Sequence, residues 1–338
     1  MFSTWMWTGP GAFRACRIGV LRVIVVLALG SLIGVAAAQQ YPAKPVRIVV
    51  PAPPGGLSDV VARALSLHLQ ERLGQPFVVE NRAGASGIIG IDYVAKSAPD
   101  GYTVLVFPSI FVITPLLVKS LPYDVLKDFT PISLLGTVPL VFVVHPSVAA
   151  GNLREFIALA RANPEKNAFA ASGVGSVGHL TTERFLQEIG LKMLLVPYKG
   201  AAPAVIDLIG GRVTAQIDPI PLFIEHIKAG KLRPLGVTTK ERLSTLPEVP
   251  TFAESGLAGF EERSWYGLWG PARMPREVVN VLNREIAEAL KTPRVAERLA
   301  AQGMVPLSSK SEDFAAFINA EVVKYSRLIK DANIKVEN

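Results

Sequence analysis

Short apolar runs alternate along this chain with longer segments of helical period, and no other feature restricts the fold as much. A run too short for a helix and bounded by glycine or proline reads as a buried strand, and strands separated by helices build parallel α/β units. Arg47-Ile48-Val49-Val50 is the first such run, and Pro53-Pro54-Gly55-Gly56 breaks it. Behind that break Val61, Leu65, Leu69 and Leu73 share one helical face, and Gly74 supplies the stop. Further strands are expected at Phe77–Val79, Tyr102–Phe107, Leu140–Val144, Phe169–Ala171, Leu194–Val196, Val213–Ile217 and Leu235–Val237. Gly84 to Gly90 reads as a glycine-rich turn that allows close helix packing, since it lacks the G-x-G opening of a dinucleotide loop.

Helices are expected from Asn152, with Glu155 three positions on as a capping box, and from about Ala202 to Ile209. The C-terminal part is helical. Val278, Leu282, Ile286 and Leu290 follow Pro275 at helix spacing, and Phe314, Phe317, Ile318 and Tyr325 repeat the pattern. No repeat and no low-complexity tether interrupts the series, so a chain with two α/β lobes would cross between them through ordered strands. A length of 338 residues is enough for both.

The first 38 residues follow a different rule. Arg14, Arg17 and Arg22 precede an uncharged stretch from Val23 to Ala38 that ends in Ala36-Ala37-Ala38. A basic front, an apolar middle and an A-x-A end form a secretory signal peptide, with cleavage expected after Ala38. The apolar stretch is shorter than the roughly 20 residues of a bilayer span. Cys16, the single cysteine, would leave with that segment. The remaining chain then has no disulfide, thiolate metal site or cysteine nucleophile. Three arginines leave as well, which takes the 35 basic residues to 32 against 28 acidic ones, and the net charge from +7 to +4. No basic cluster of the kind that marks nucleic-acid binding remains.

Two strand-to-helix turns carry the functional signal. In Pro54-Gly55-Gly56-Leu57-Ser58-Asp59 a strand ends, two glycines follow and a helix begins. A helix start leaves backbone amides unpaired at the positive end of its dipole, which suits a carboxylate or phosphate, and glycine admits the ligand close to the chain. The competing reading is an ordinary turn with Ser58 or Asp59 as the cap. Ser172-Gly173-Val174-Gly175-Ser176 repeats the arrangement before a helix marked by Leu180, Phe185 and Ile189, with serines able to donate to an anion. His179, one turn into that helix, either binds ligand or ties the loop by hydrogen bonds. Lys199, after the strand ending near Val196, faces an anion or water. Asp218, placed at the end of the strand from Val213, bonds a ligand hydroxyl or caps a turn, and Ser109 lines a cleft or packs.

Catalytic and metal signatures are absent from the sequence. The histidines at 68, 145, 179 and 226 have no H-E-x-x-H spacing, no G-x-S-x-G elbow occurs, and no P-loop lysine follows a glycine-rich turn. No cofactor, metal or enzymatic activity is expected. Ser176 with His179 leaves an exported hydrolase as an alternative, although no orienting acid is evident.

In order along the chain stand Tyr41-Pro42-Ala43-Lys44-Pro45-Val46-Arg47, Pro53 to Asp59, Val79-Glu80-Asn81-Arg82-Ala83-Gly84, Ala98-Pro99-Asp100-Gly101-Tyr102, Leu121-Pro122-Tyr123-Asp124, Val196-Pro197-Tyr198-Lys199-Gly200, Ile227-Lys228-Ala229-Gly230-Lys231, Leu246-Pro247-Glu248-Val249-Pro250 and Ser264-Trp265-Tyr266-Gly267. This ordered set resembles the Bug-type receptors, the extracytoplasmic solute-binding proteins of tripartite tricarboxylate transporters. The resemblance implies a type II periplasmic-binding-protein fold, two α/β lobes joined by hinge strands with a ligand cleft between them. Residues 39–140 and 262–338 would form one lobe and 141–261 the other.

It further implies a periplasmic receptor that captures a small carboxylate by lobe closure and hands it to membrane transporter subunits. The loops Gly55 to Asp59 and Ser172 to Ser176 would be its two carboxylate-holding elements. A di- or tricarboxylate, an aromatic acid or an acidic amino acid would suit such a pair, and a sensor signalling to a membrane kinase would use the same clamp. Ala52 stands where the family commonly has a bulky aromatic and Leu57 where it commonly has glycine, so both bear on the shape of the pocket.

Overall fold

The computed structural model describes residues 41–334, so the expected signal peptide and Cys16 lie outside the described residues. Residues up to Ala43 form one unit of the chain and those from Lys44 onward another, and the fold described here is that of the second. Its strands are β1 (Val46–Val50), β2 (Phe77–Asn81), β3 (Thr103–Pro108), β4 (Phe129–Val144), β5 (Ala168–Ala171), β6 (Leu194–Pro197), β7 (Ala215–Pro219), β8 (Arg233–Val237), β9 (Arg263–Pro271) and β10 (Val305–Pro306). Its helices are α1 (Leu57–Leu73), α2 (Ile88–Ala95), α3 (Ile110–Ile113), α4 (Leu153–Ala162), α5 (Val177–Glu188), α6 (Ala201–Ile209), α7 (Ile224–Lys228), α8 (Arg276–Lys291), α9 (Pro293–Ala300) and α10 (Ser311–Asp331).

The strands run in the order β2-β1-β3-β9-β4-β7-β5-β6, with β8 and β10 also paired to β4. β1 is parallel to β2 and β3, and β5 is parallel to β6 and β7. The two parallel groups are joined through antiparallel β9 and β4. Strand β4 serves both sides. Its residues 129–139 pair with β9, and Leu140–Val144 pair with β7, the last four of them also with β8 on the other edge.

Each part has its own core, because each parallel group must cover its faces with helices. One core gathers Val49, Leu105, Phe111, Trp265, Trp269, Phe314 and Tyr325. On the other side two cores flank one sheet. Phe142, Phe156, Phe169, Phe185 and Phe252 fill one face, with Phe142 and Phe156 edge to face at 4.8 Å. Val141, Val143, Ala170, Val205 and Leu208 fill the opposite face.

The expected strands at Phe77, Phe169, Leu194 and Leu235 are present within a residue or two. The Asn152 cap is also as expected, its side chain accepting the Glu155 amide. Two expectations need correction. Leu140–Val144 is the tail of a sixteen-residue strand, since Pro131 and Gly136 fall at shifts of register that let the strand continue. The strand expected from Val213 starts at Ala215 and includes Asp218 and Pro219.

Where the chain leaves the second group of strands, Thr238 Oγ1 donates to the carbonyls of Leu140 and Glu262, tying the two crossing segments together. The buried Glu262 carboxylate then accepts from Arg184 on α5 at 2.6 Å and from Lys324 on α10 at 3.0 Å. Lys324 also meets Glu321, which accepts from the Trp265 indole at 2.8 Å. A carboxylate buried in this way is tolerated because its charge is matched from both sides.

Candidate functional site

Strands β1, β3, β5, β6 and β7 all end near residues singled out in the sequence. The Pro54–Asp59 loop follows β1, Ser109 follows β3, Ser172 follows β5, Lys199 follows β6, and Asp218 is near the end of β7. In open parallel sheets, solutes bind beyond the carboxyl ends of the strands, where loop backbone and helix starts are exposed together.

The first loop leaves the sheet at Pro51. Pro54, Gly55 and Gly56 are exposed, Leu57 is half-buried, and Ser58 and Asp59 are buried. Gly56 is the N-cap of α1 and has no side-chain cap. Asp59, in the first turn, reaches back to accept the Gly55 amide at 3.1 Å and the Arg63 Nε at 2.9 Å. Arg63 continues to Asn81 Oδ1, and the Asn81 amide holds the Ala52 carbonyl at 3.1 Å. The Arg63 guanidinium keeps the Asp59 carboxyl below its ordinary range, against the opposing pull of burial. The loop is thus braced from behind, while the amides of Leu57 and Ser58 have no capping side chain among the described residues.

The second loop is braced differently. Ser176 caps α5, its Oγ accepting the His179 amide at 3.1 Å. The Gly175 amide donates to His179 Nδ1 at 2.8 Å, which places the ring proton on Nε2, 3.7 Å from Glu183. His179 therefore shapes the loop, and its ring is not paired with the Ser176 hydroxyl as a hydrolytic pair requires. Gly175 has φ +74, and a Cβ there would collide with Leu117, from the segment after β3. The first turn of α5 lies so close to β7 that a Cβ on Gly178 would meet the Ile217 carbonyl and Asp218.

Beneath this loop three polar side chains converge. Asp218, 2% exposed, accepts from the Ser172 hydroxyl and from Gln216 Nε2 at 2.8 Å, and the same Nε2 lies 3.1 Å from Ser172 Oγ. Burial pushes the Asp218 carboxyl up to about 6, the two donors only partly offsetting it. Gln216 Oε1 is buried without a hydrogen-bond partner among the described residues.

The remaining candidates are dispersed. Ser109 is buried, its hydroxyl 3.4 Å from that of Ser264. Lys199 is exposed beside the second loop, where the next amide, Gly200, donates to the Ser172 carbonyl. Gly173 is half-buried and Val174 exposed. Gln216 is the residue that the sequence reading missed. Its available signal was two polar residues, Gln216 and Asp218, on one face of a strand otherwise built for burial. Among the described residues no group of three or more His, Cys, Asp or Glu is placed to hold a metal, and no helix is long and apolar enough to cross a membrane.

Known proteins share this sequence and architecture. The family model described as the tripartite tricarboxylate transporter family receptor matches residues 61–334. BugT of Bordetella pertussis is 41% identical over 93% of this chain and 97% of its own. Rpa4515 of R. palustris, solved with adipate, is 36% identical with a TM-score of 0.77, covering 87% of this chain and 99% of that one. MatC from Rhodopseudomonas palustris, solved with bound malate, is 29% identical with a TM-score of 0.71 over 86% of this chain and all of that one. The chain belongs to the tripartite tricarboxylate transporter receptor family and is a receptor of the Bug type.

Proposed function

We propose that this protein is a periplasmic receptor that binds a small dicarboxylate between its two helix-start loops and delivers it to a membrane transporter, without chemical turnover. One observation carries the reading. Both loops stand at the carboxyl ends of parallel strands and each opens a helix: the α1 start has no side-chain cap, and at the α5 start Ser176 caps only the His179 amide, ahead of which the Val177 and Gly178 amides suit negatively charged oxygen. Binding of adipate and malate by relatives supports a solute with two carboxylates. In this reading residues 39–140 with 262–338, and residues 141–261, are two lobes. They close on the solute about the strands joining them, and the closed form is the one a transporter recognises.

The test is a thermal-shift screen of the full chain against adipate, malate and a wider carboxylate set. A true ligand at 100 times its Kd adds about 2.7 kcal/mol of stability, which raises the melting temperature by several degrees. Gly55→Val should abolish that shift, because a branched side chain on the exposed loop crowds the approach to the α1 amides. A Gly55→Val protein that binds as the parent does would remove the first loop from the site.

A further inference from the structure

The cluster beneath the second loop contains a buried acid, in a site meant for anions, with no cation paired to it among the described residues. We propose that Asp218 is a proton-linked positioning residue: when it takes up a proton, the Ser172 hydroxyl is released to donate to the anionic solute. This deepens the receptor reading and rests on it.

The geometry dictates the switch. An ionised carboxylate only accepts hydrogen bonds, so Ser172 must turn its single hydroxyl proton inward to Asp218 Oδ2, and Gln216 Nε2 must donate there as well. In that state the serine presents lone pairs to an arriving anion. Once Asp218 is protonated its own O–H donates to Ser172 Oγ, and the serine proton turns outward, where the residue is only partly buried. One proton is taken from solvent for each solute bound to the ionised form, and no covalent bond changes.

Two further features agree. Burial already pushes the Asp218 carboxyl up to about 6, and a second negative charge beside it favours the neutral form more strongly. The cluster also keeps the unpartnered Gln216 Oε1 buried, a cost that an apolar packing at this position would avoid.

The other titratable groups around it are engaged elsewhere. On α5, His179 accepts the Gly175 amide and Glu183 lies by His179. On α6, Asp207 is held by Arg212 and by the Tyr198 hydroxyl, and Lys199, which precedes α6, is exposed. β4 and β5 contribute only Val141, Val143 and Ala170 opposite Gln216 and Asp218.

Calorimetry with adipate at about pH 6.5 and pH 8.5, where adipate is a dianion throughout, tests the proposal. The full chain should bind at least about tenfold more weakly at the higher pH, with proton uptake visible as a dependence on buffer ionisation heat. Asp218→Asn should bind equally at both values and take up no proton, and Ser172→Ala should bind more weakly than the parent at the lower pH and keep only a shallower slope. A flat parent, or an Asp218→Asn variant that keeps the parent's slope, overturns the proposal. If neither adipate nor malate binds at either pH, the dicarboxylate reading fails separately. Carboxyl NMR titration of the free protein then still decides: an Asp218 signal midpoint near 6 supports the switch, and one near about 4 overturns it.

Discussion

The two helix-start loops look alike in sequence and are supported in opposite ways. Behind the first is Asp59, ionised and paired with Arg63, with Asn81 fastening the turn to β2. Gly55 has φ +88 and open space where a side chain would sit. Behind the second is Asp218, without a cation among the described residues and with its carboxyl pushed up to about 6, and Gly175 is pressed against Leu117. The first loop therefore has a fixed charge behind it and room in front. The second has a raised, buried carboxyl behind it and no room for a side chain at Gly175 or Gly178. Two helix-start turns of similar sequence need not be equivalent, and only the second rests on a buried carboxyl raised by its surroundings.

The sharpest way to break this contrast is at Gly178. A valine there drives its side chain into the Ile217 carbonyl and Asp218, so Gly178→Val should cost about 3 kcal/mol or more in urea unfolding. A loss below about 1 kcal/mol would show that α5 does not press on β7 as described.

Asp218→Asn should have the next largest effect, and in the stabilising direction. Its carboxyl titrates higher in the fold than in the unfolded chain, so ionisation works against folding as pH rises through about 6. The asparagine variant should gain up to about 3 kcal/mol at pH 8 and almost nothing at pH 4, read from melting curves across pH.

Asp59→Asn should show the reverse sign and a smaller size. The folded Asp59 carboxyl is depressed, so its contribution is present above the unfolded carboxylate range near pH 4 and lost as acid protonates it. The variant should lose about 1 kcal/mol at pH 7 and destabilise less steeply than the parent on acidification. Equal slopes would show that Asp59 and Asp218 differ less than their surroundings imply.

Much of this contrast could be read from the residues. The β1-loop-α1 unit follows from Val49-Val50, the glycines and the spacing of Val61, Leu65 and Leu69, and both turns were visible as helix starts. Three things were hidden. β4 was read only in its last five residues, Leu140–Val144, and only pairing with β9 shows that the strand runs on through Pro131 and Gly136 at shifts of register. β9 was recognised as a motif around Ser264 and not as a strand, because its burial depends on neighbours far away in sequence. Gln216 passed unnoticed because a lone glutamine in a strand has no meaning until Ser172 arrives from β5 beside it.

The ion pairs at Glu262 add a mechanical consequence. Helix α5 carries the second loop at its front and Arg184 two turns further back, and Arg184 is fastened to a carboxylate that also grips Lys324. A tug on the loop is therefore felt at the root of β9 and along α10, because the helix has nowhere to slide alone. The second loop, the start of β9 and the longest helix are thus links of one chain of ion pairs, and a load placed on any one of them is shared by the others.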